Sequence, residues 1–111
     1  MSKFDASQIQ WREPWHAITP DYAAKAEAEI HREMCAGHVL FGRSVTAVGY
    51  RQDCDDVLFE LLDGSGRLAV VHLTFAQHPE PNAAWPSTEI FADWSAFERE
   101  RMQPDAEEWA E

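Results

Sequence analysis

Two adjacent segments that carry apolar side chains on both faces place the strongest constraint on how this chain folds. Residues 57–62 read VLFELL and residues 67–75 read RLAVVHLTF, and both are rich in the residue types that favour strands. The link between them, DGSG at 63–66, is a glycine-containing turn of hairpin length, which predicts antiparallel pairing. Because successive side chains point to opposite faces, this hairpin needs an apolar cover on each side.

A capped amphipathic helix is predicted before the hairpin, over residues 20–35. Thr19 suits the N-cap and Pro20 the first turn, while Gly37 suits a left-handed stop. The apolar residues between these signals recur at helical spacing on one narrow stripe: Tyr22, Ala23, Ala26, Ile30 and Met34. The helix therefore has one face to bury against the sheet.

Further strands and a closing helix are predicted on either side of the hairpin. Residues 38–52 indicate one bent strand or two short ones, and residues 88–91 indicate another short strand. Asp93 suits the N-cap of a helix over the sequence WSAFERERM, which Pro104 is expected to end. Because the links between strands are too short for parallel crossovers, the strands are expected to form an antiparallel meander.

The predicted fold class is α+β, with an antiparallel sheet of three to four strands in a meander and with the N-terminal helix and the C-terminal helix packed on one face. A chain of 111 residues has the length of a single domain. Within it, residues 1–18 are predicted to form a packing arm, residues 19–104 the α+β core and residues 105–111 an acidic tail.

The charge balance narrows the choice of partners. The chain holds 20 acidic residues against 9 Lys and Arg residues, a formal net charge of −11. Such a surface repels nucleic acid and anionic membranes and attracts a basic protein. The sequence shows no secretory leader and no apolar run of membrane-spanning length. We therefore expect a cytoplasmic protein in which Cys35 and Cys54 are free thiols.

His72 lies in the middle of an apolar strand, and Glu60 is the polar residue of the strand before it. An even-length turn places Glu60 opposite Ala69, on the other face from His72. An odd-length turn with a glycine bulge places Glu60 opposite Val70 and diagonal to His72, where the carboxylate would orient the imidazole for acid–base chemistry. The sequence leaves both registers open, so His72 and Glu60 are candidates and no catalytic residue is assigned.

A pattern of possible metal ligands lies at the end of the predicted helix, where His31, Cys35 and His38 read H-x3-C-x2-H. His31 and Cys35 share a helical face, and both residue types ligate zinc. The spacing matches no familiar zinc arrangement, so we predict no metal site and no cofactor, with these three residues as the nearest candidates. Cys54 lies among three aspartates, which raise a thiol pKa and make it a poor nucleophile.

The proline-rich segment after the hairpin supplies most of the predicted binding residues. Residues 76–88 contain three of the six prolines, and Trp85 is held extended by the proline that follows it. A constrained loop that presents an aromatic side chain is a common contact surface. The residues predicted to bind a ligand or a partner are His72, His78, Trp85, Phe91 and Trp94.

Four segments resemble a group of small uncharacterised bacterial proteins: HVLFGR at 38–43, DDVLFEL at 55–61, AVVHLTF at 69–75 and WPSTEIF at 85–91. The resemblance covers roughly residues 20–105. In that group the residue after His-Leu-Thr is usually Trp, where this chain has Phe75. The resemblance implies a bacterial cytosolic origin, and it implies no activity, cofactor or site residue.

Two functions are compatible with these features. The leading hypothesis is a small acidic protein-interaction module, which forms a homodimer through the second face of the sheet or captures a basic partner such as a toxin. The alternative is a small-ligand binder or an enzyme that uses His72 and Glu60 in a pocket under residues 76–88. Catalysis is the less favoured of these, because no nucleophile or phosphate-cradling glycine loop accompanies the histidine.

Overall fold

The computed structural model describes residues 9–75 and 86–110, and within them the predicted α+β meander is confirmed. Five antiparallel strands follow one another in chain order across one sheet. The strands are β1 (Trp15–Ala17), β2 (Val45–Arg51), β3 (Asp56–Leu61), β4 (Leu68–His72) and β5 (Ser87–Phe91), and the first helix, α1, is Pro20–Glu33. The closing helical segment comprises α2 (Trp94–Phe97), a π-helical turn (Glu98–Met102) and α3 (Gln103–Trp109).

One edge strand that the sequence did not predict, β1, brings the count to five. β1 comes from the N-terminal arm, where Trp15–Ala17 pairs with the end of β2. β5 corresponds to the short strand expected at 88–91 and begins one residue earlier. A strand of three residues has too little periodicity of its own to be recognised, because its register is imposed by the neighbouring strand.

Helix α1 begins where its capping residues predict. The Thr19 hydroxyl accepts a hydrogen bond from the Tyr22 backbone N–H at 3.3 Å. Ala26 and Ile30, on the predicted apolar stripe, are fully buried. The helix ends at Glu33, slightly before the predicted limit.

The helices cover opposite faces of the sheet, so the predicted packing of both helices on one face is wrong. The first face lies under α1, where the buried layer is Ala26, Ile30, Met34, Leu40, Val45, Ala47, Val57, Phe59, Leu61, Ala69, Val71 and Leu73. The second face lies under the closing helical segment, where the buried layer is Trp15, Val48, Leu58, Leu68, Val70, Phe91, Ala96, Phe97 and Met102. The alternation within β3 and β4 explains the correction, because a hairpin with two apolar faces needs two covers.

The closing helical segment continues past Pro104, where the sequence predicted its end. A proline inside a helix lacks an N–H, and its ring crowds the carbonyl of the residue four positions earlier. The π-helical turn immediately before Pro104 joins groups five residues apart and is therefore wider than an α-helical turn. This wider turn accommodates the proline, and Asp105 is consequently buried against the core rather than placed in a solvated tail.

The loop between β3 and β4 differs from both predicted turns. Glu60 pairs with Leu68, so neither register considered from the sequence occurs. The Asp63 carboxylate accepts hydrogen bonds from the Ser65 backbone N–H and from the Arg67 guanidinium, each at 2.9 Å. These bonds close the DGSG sequence into a self-contained loop and end the strand pairing earlier than a tight hairpin would.

The cover on the second face is tested by Phe97→Ala. Phe97 is fully buried, so we expect the substitution to lower the free energy of unfolding by about 3–5 kcal/mol. The matched control is Phe41→Ala, because Phe41 is 53% exposed and should change stability by no more than about 0.5 kcal/mol. Chemical denaturation of the three proteins measures the difference, and equal losses in both variants would show that the closing segment does not cover the sheet.

Candidate functional site

Three polar residues form a row across the second face at one end of the sheet. Asp56 begins β3, His72 ends β4 and Ser87 begins β5. The register places Asp56 opposite His72, and His72 opposite Ser87. Because cross-strand partners share a face and bring their Cβ atoms to about 5 Å of each other, the strand register alone assembles this row.

The Asp56 carboxylate orients the His72 imidazole. Oδ1 of Asp56 lies 2.8 Å from Nδ1 of His72, whose side chain is 49% exposed. Burial on its own raises the pKa of Asp56, but hydrogen bonds from His72 and Arg101 outweigh burial and hold that pKa below its usual value. Because an ionised carboxylate only accepts hydrogen bonds, Nδ1 carries the hydrogen in this pair and Nε2 is the acceptor of the neutral ring.

Arg101, on the π-helical turn, binds three carboxylates from three different elements. Its Nη2 donates to Asp56 at 3.0 Å, its Nη1 to Glu89 at 3.1 Å and its Nε to Asp105 at 3.3 Å. Burial lowers the pKa of Arg101, but the charges and hydrogen bonds of these carboxylates raise it above its usual value. The guanidinium is therefore a permanent cation whose three nitrogen atoms are all engaged.

Asp105 joins this arginine to the N-terminal strand. Its Oδ2 accepts a hydrogen bond from the Trp15 indole N–H at 2.9 Å and lies 3.2 Å from the Arg51 guanidinium. The Arg101 guanidinium lies over the Trp15 ring, 5.6 Å from its centroid, within the range of a cation–π contact. These contacts fix Arg101 between the fully buried Trp15 and the open end of the sheet.

A cleft of about 320 Å³ opens at this end of the second face. Its lining residues are Asp56, Val70, His72, Ser87, Glu89 and Arg101. His72 thus lies partly exposed in a concave site, which is the position that the small-ligand hypothesis requires. The cleft differs from a typical apolar ligand pocket, because only one of these lining residues is apolar.

Cys54 extends the polar row beyond β3. It is an exposed free thiol in the turn before that strand. One donor atom from each of Cys54, Asp56 and His72 lies within 4.8 Å of the others, a grouping found among the described residues. Burial raises the pKa of the Cys54 thiol, and the nearby charges of Asp56 and Asp53 raise it further. A hydrogen bond from the Asp56 backbone N–H lowers this pKa but does not outweigh them. This thiol is therefore a poor nucleophile, in agreement with the expectation from sequence.

Glu60 and His72 do not meet. Both lie on the second face, but Glu60 is opposite Leu68 and almost fully buried, while His72 is at the far end of β4. Asp56 is the carboxylate that the structure brings to His72. The sequence signal for the Asp56–His72 pair was the acidic DCDD segment that leads into β3. The length of the loop between β3 and β4 sets the register, and the register determines which acidic residue lies opposite His72.

The residues considered as metal ligands from sequence are dispersed. His31 is exposed on α1, and Cys35 is partly buried beyond the helix end. His38 is buried and has its own partners, because its Nε2 lies 2.9 Å from the Pro86 carbonyl and its Nδ1 accepts from the Leu40 N–H at 3.1 Å. His38 therefore serves to hold the chain before β5.

The predicted binding residues separate into three groups. His78 and Trp85 lie outside the described residues. Phe91 and Trp94 pack within the second face rather than on a free surface: Phe91 contacts Phe97 at a ring-centroid distance of 5.7 Å, and Trp94 contacts Trp11 at 5.5 Å. Of the three that the structure describes, His72 is the one that lines the second-face cleft.

A fully buried glutamate on α1 binds the backbone after β4. The Glu33 carboxylate accepts hydrogen bonds from the backbone N–H groups of Thr74 and Phe75, at 2.9 Å and 2.8 Å. Phe75 has a φ of 54°, a left-handed conformation that is uncommon for an aromatic residue. The carboxylate therefore stabilises a strained turn at the point where the sheet ends.

A second cleft, of about 450 Å³, lies on the α1 side and is lined by Tyr22, Lys25, Glu29, Arg32, Asp55 and Phe75. Two bases and two acids share this lining, and Arg32 already donates to Glu29 at 2.8 Å. Its charges are therefore balanced, whereas the second-face cleft gathers carboxylates around one arginine.

The comparisons with known proteins supply no relative: no family model, no curated protein and no solved structure matches this chain. The resemblance to small bacterial proteins therefore stays a prediction.

No helix within residues 9–75 and 86–110 is long and apolar enough to cross a membrane.

The buried Glu33 carboxyl predicts a pH dependence of stability. Burial raises the pKa of Glu33 above 4.5, and the hydrogen bond with Glu29 raises it further. The hydrogen bonds from the backbone N–H groups lower this pKa but do not outweigh burial. The folded state thus binds the proton more tightly than the unfolded state, so this group's contribution to stability falls as pH rises above 4.5. We expect the stability of the wild type relative to Glu33→Gln to fall as pH rises above 4.5.

Denaturation curves at several pH values measure this difference, and Glu107→Gln, an exposed position on α3, controls for loss of one negative charge. A wild-type advantage that grows with pH would contradict the assignment of a raised pKa to Glu33.

Proposed function

We propose that this protein binds a small cationic group in the second-face cleft. The observation that supports this most is the engagement of Arg101 by three carboxylates. An arginine in a cleft is usually a candidate for binding an anion. Here three carboxylates surround the single positive charge of Arg101, so negative charge is in excess and the cleft is suited to a positive ligand.

The local charges support the same assignment. Four carboxylates, Asp53, Asp56, Glu89 and Asp105, surround two guanidinium groups, Arg51 and Arg101. These six side chains have a net charge of about −2, and the whole chain has a formal net charge of −11. A net negative charge around a cleft raises the local concentration of positive ligands and speeds their association.

The placement of these groups on covered strands supports binding with a defined geometry. Asp56, His72 and Ser87 project from neighbouring strands of a sheet that is packed on both faces. Arg101 is held from the other side by Asp105 and Trp15. Sites built on rigid strands hold their ligand groups more closely than sites on loops.

The interaction-module hypothesis is retained as a second candidate in a narrower form. Its homodimer version assumed an apolar second face without a cover of its own, and the closing helical segment supplies that cover. The capture of a basic protein uses the same acidic cleft, with a lysine or arginine side chain as the cationic group. We further propose a cytoplasmic location, which the two free thiols support.

Titration by NMR tests the cation site. Backbone amide signals of Asp56, His72, Ser87 and Glu89 should shift with arginine methyl ester or a diamine, and should not shift with acetate or phosphate. Glu89→Gln should weaken cation binding by about threefold to tenfold, since one partly exposed charge contributes about 1 kcal/mol. Glu107→Gln, far along the closing segment, is the matched control and should leave affinity unchanged.

Phosphate binding at these residues, or no response to either cation, would overturn the proposed function. If a basic protein partner is identified, its affinity should fall steeply as salt is raised from about 50 mM to about 500 mM. An affinity that is independent of salt would exclude electrostatic capture.

A further inference from the structure

We propose that Cys54, Asp56 and His72 form a binding site for a borderline divalent metal ion of the Zn²⁺ type. This inference rests on the proposed cation cleft and deepens it by naming the class of cation. It also differs from the expectation from sequence, which took His31, Cys35 and His38 as the nearest candidates for ligation.

The donor set indicates the class of metal. A thiolate, an imidazole and a carboxylate are the three ligand types that Zn²⁺ takes in proteins. Hard ions such as Mg²⁺ and Ca²⁺ prefer sites made of oxygen ligands, so a thiol and an imidazole among three donors disfavour them. The site should therefore select Zn²⁺ or Co²⁺ over Mg²⁺.

The distances are compatible with coordination after small movements. Metal–ligand bonds of about 2.0–2.3 Å in a tetrahedron separate neighbouring donor atoms by about 3.3–3.7 Å. The candidate donors lie within 4.8 Å of one another, and the Asp56–His72 pair is at 2.8 Å. The metal ion would replace the proton that Nδ1 now shares with the carboxylate, so this pair opens by about 0.5 Å while the thiol approaches. Cys54 lies in an exposed turn, where a side-chain rotation meets little resistance.

Arg101 supports the site in spite of its positive charge. It binds Oδ2 of Asp56 at 3.0 Å and leaves Oδ1 directed at His72, so the carboxylate is oriented for ligation through one oxygen. Such contacts to the outer side of a ligand fix its geometry and raise metal affinity. Glu89 and Asp105 offset the charge of the guanidinium, which reduces its repulsion of a metal ion.

Three protein ligands leave a fourth position on a tetrahedral ion. Asp56 and His72 both line the cleft of about 320 Å³, so this position is expected to face open space rather than the core. The arrangement corresponds to the zinc sites that exchange water or bind a further ligand, and differs from closed structural sites with four protein ligands.

Titration of the metal-free protein with Co²⁺ and Zn²⁺ tests the proposal. We expect one Co²⁺ per chain, a near-ultraviolet charge-transfer band from a cobalt–thiolate bond, and displacement of Co²⁺ by Zn²⁺ but not by an excess of Mg²⁺. Cys54→Ser should abolish the band and weaken Zn²⁺ binding at least tenfold, and His72→Gln should weaken it to a similar extent. Cys35→Ser and His31→Gln are the matched controls and should behave as the wild type.

Circular dichroism and thermal melting establish that each variant is folded, and both Cys54 and His72 are exposed positions outside the buried layers. Absence of the cobalt band, equal loss in Cys35→Ser and Cys54→Ser, or Mg²⁺ competing as well as Zn²⁺ would overturn the metal site. If arginine methyl ester binds the cleft while Zn²⁺ does not, the metal proposal is wrong and the cation cleft stands. If neither binds, both proposals are wrong.

Discussion

The two apolar faces of the β3–β4 hairpin are the constraint on which the rest of this structure depends. Leu58 and Val70 point to one side of the hairpin, and Phe59 and Val71 point to the other. Neither side can be left in water without exposing an apolar layer. The chain therefore provides one cover before the hairpin, α1, and another after it, the closing helical segment.

The second cover also determines the site. Because the closing segment lies on the second face, its π-helical turn brings Arg101 to the end of the sheet where β3 begins and β4 ends. The strand register independently places Asp56, His72 and Ser87 in a row at that end. Packing and pairing thus converge on one cluster of ionisable groups. A chain with both helices on the first face would have the same row but no arginine above it.

The sequence predicts much of the fold, because its signals are local. Thr19 and Pro20 mark the start of α1, and alternation marks β3 and β4. Three features were missed because they depend on distant contacts. The strand Trp15–Ala17 exists through its pairing with β2, and the face chosen by the closing segment follows from what α1 already covers. Pro104 is tolerated because of the π-helical turn before it.

The site was predicted only in part, because one of its residues has a local signal and its partner depends on a distant contact. His72 was recognised as the polar residue of an apolar strand, but its carboxylate partner depended on the length of the loop at 62–66.

NMR spectra of the histidine nitrogens test the account most directly. The five histidines are labelled with ¹⁵N, and the spectra are recorded with and without one equivalent of Zn²⁺. We predict that His72 carries a hydrogen on Nδ1 before Zn²⁺ is added, and that its nitrogen signals move on adding Zn²⁺ while those of His31 and His38 do not. Movement at His31 or His38, or an unchanged His72, would contradict it.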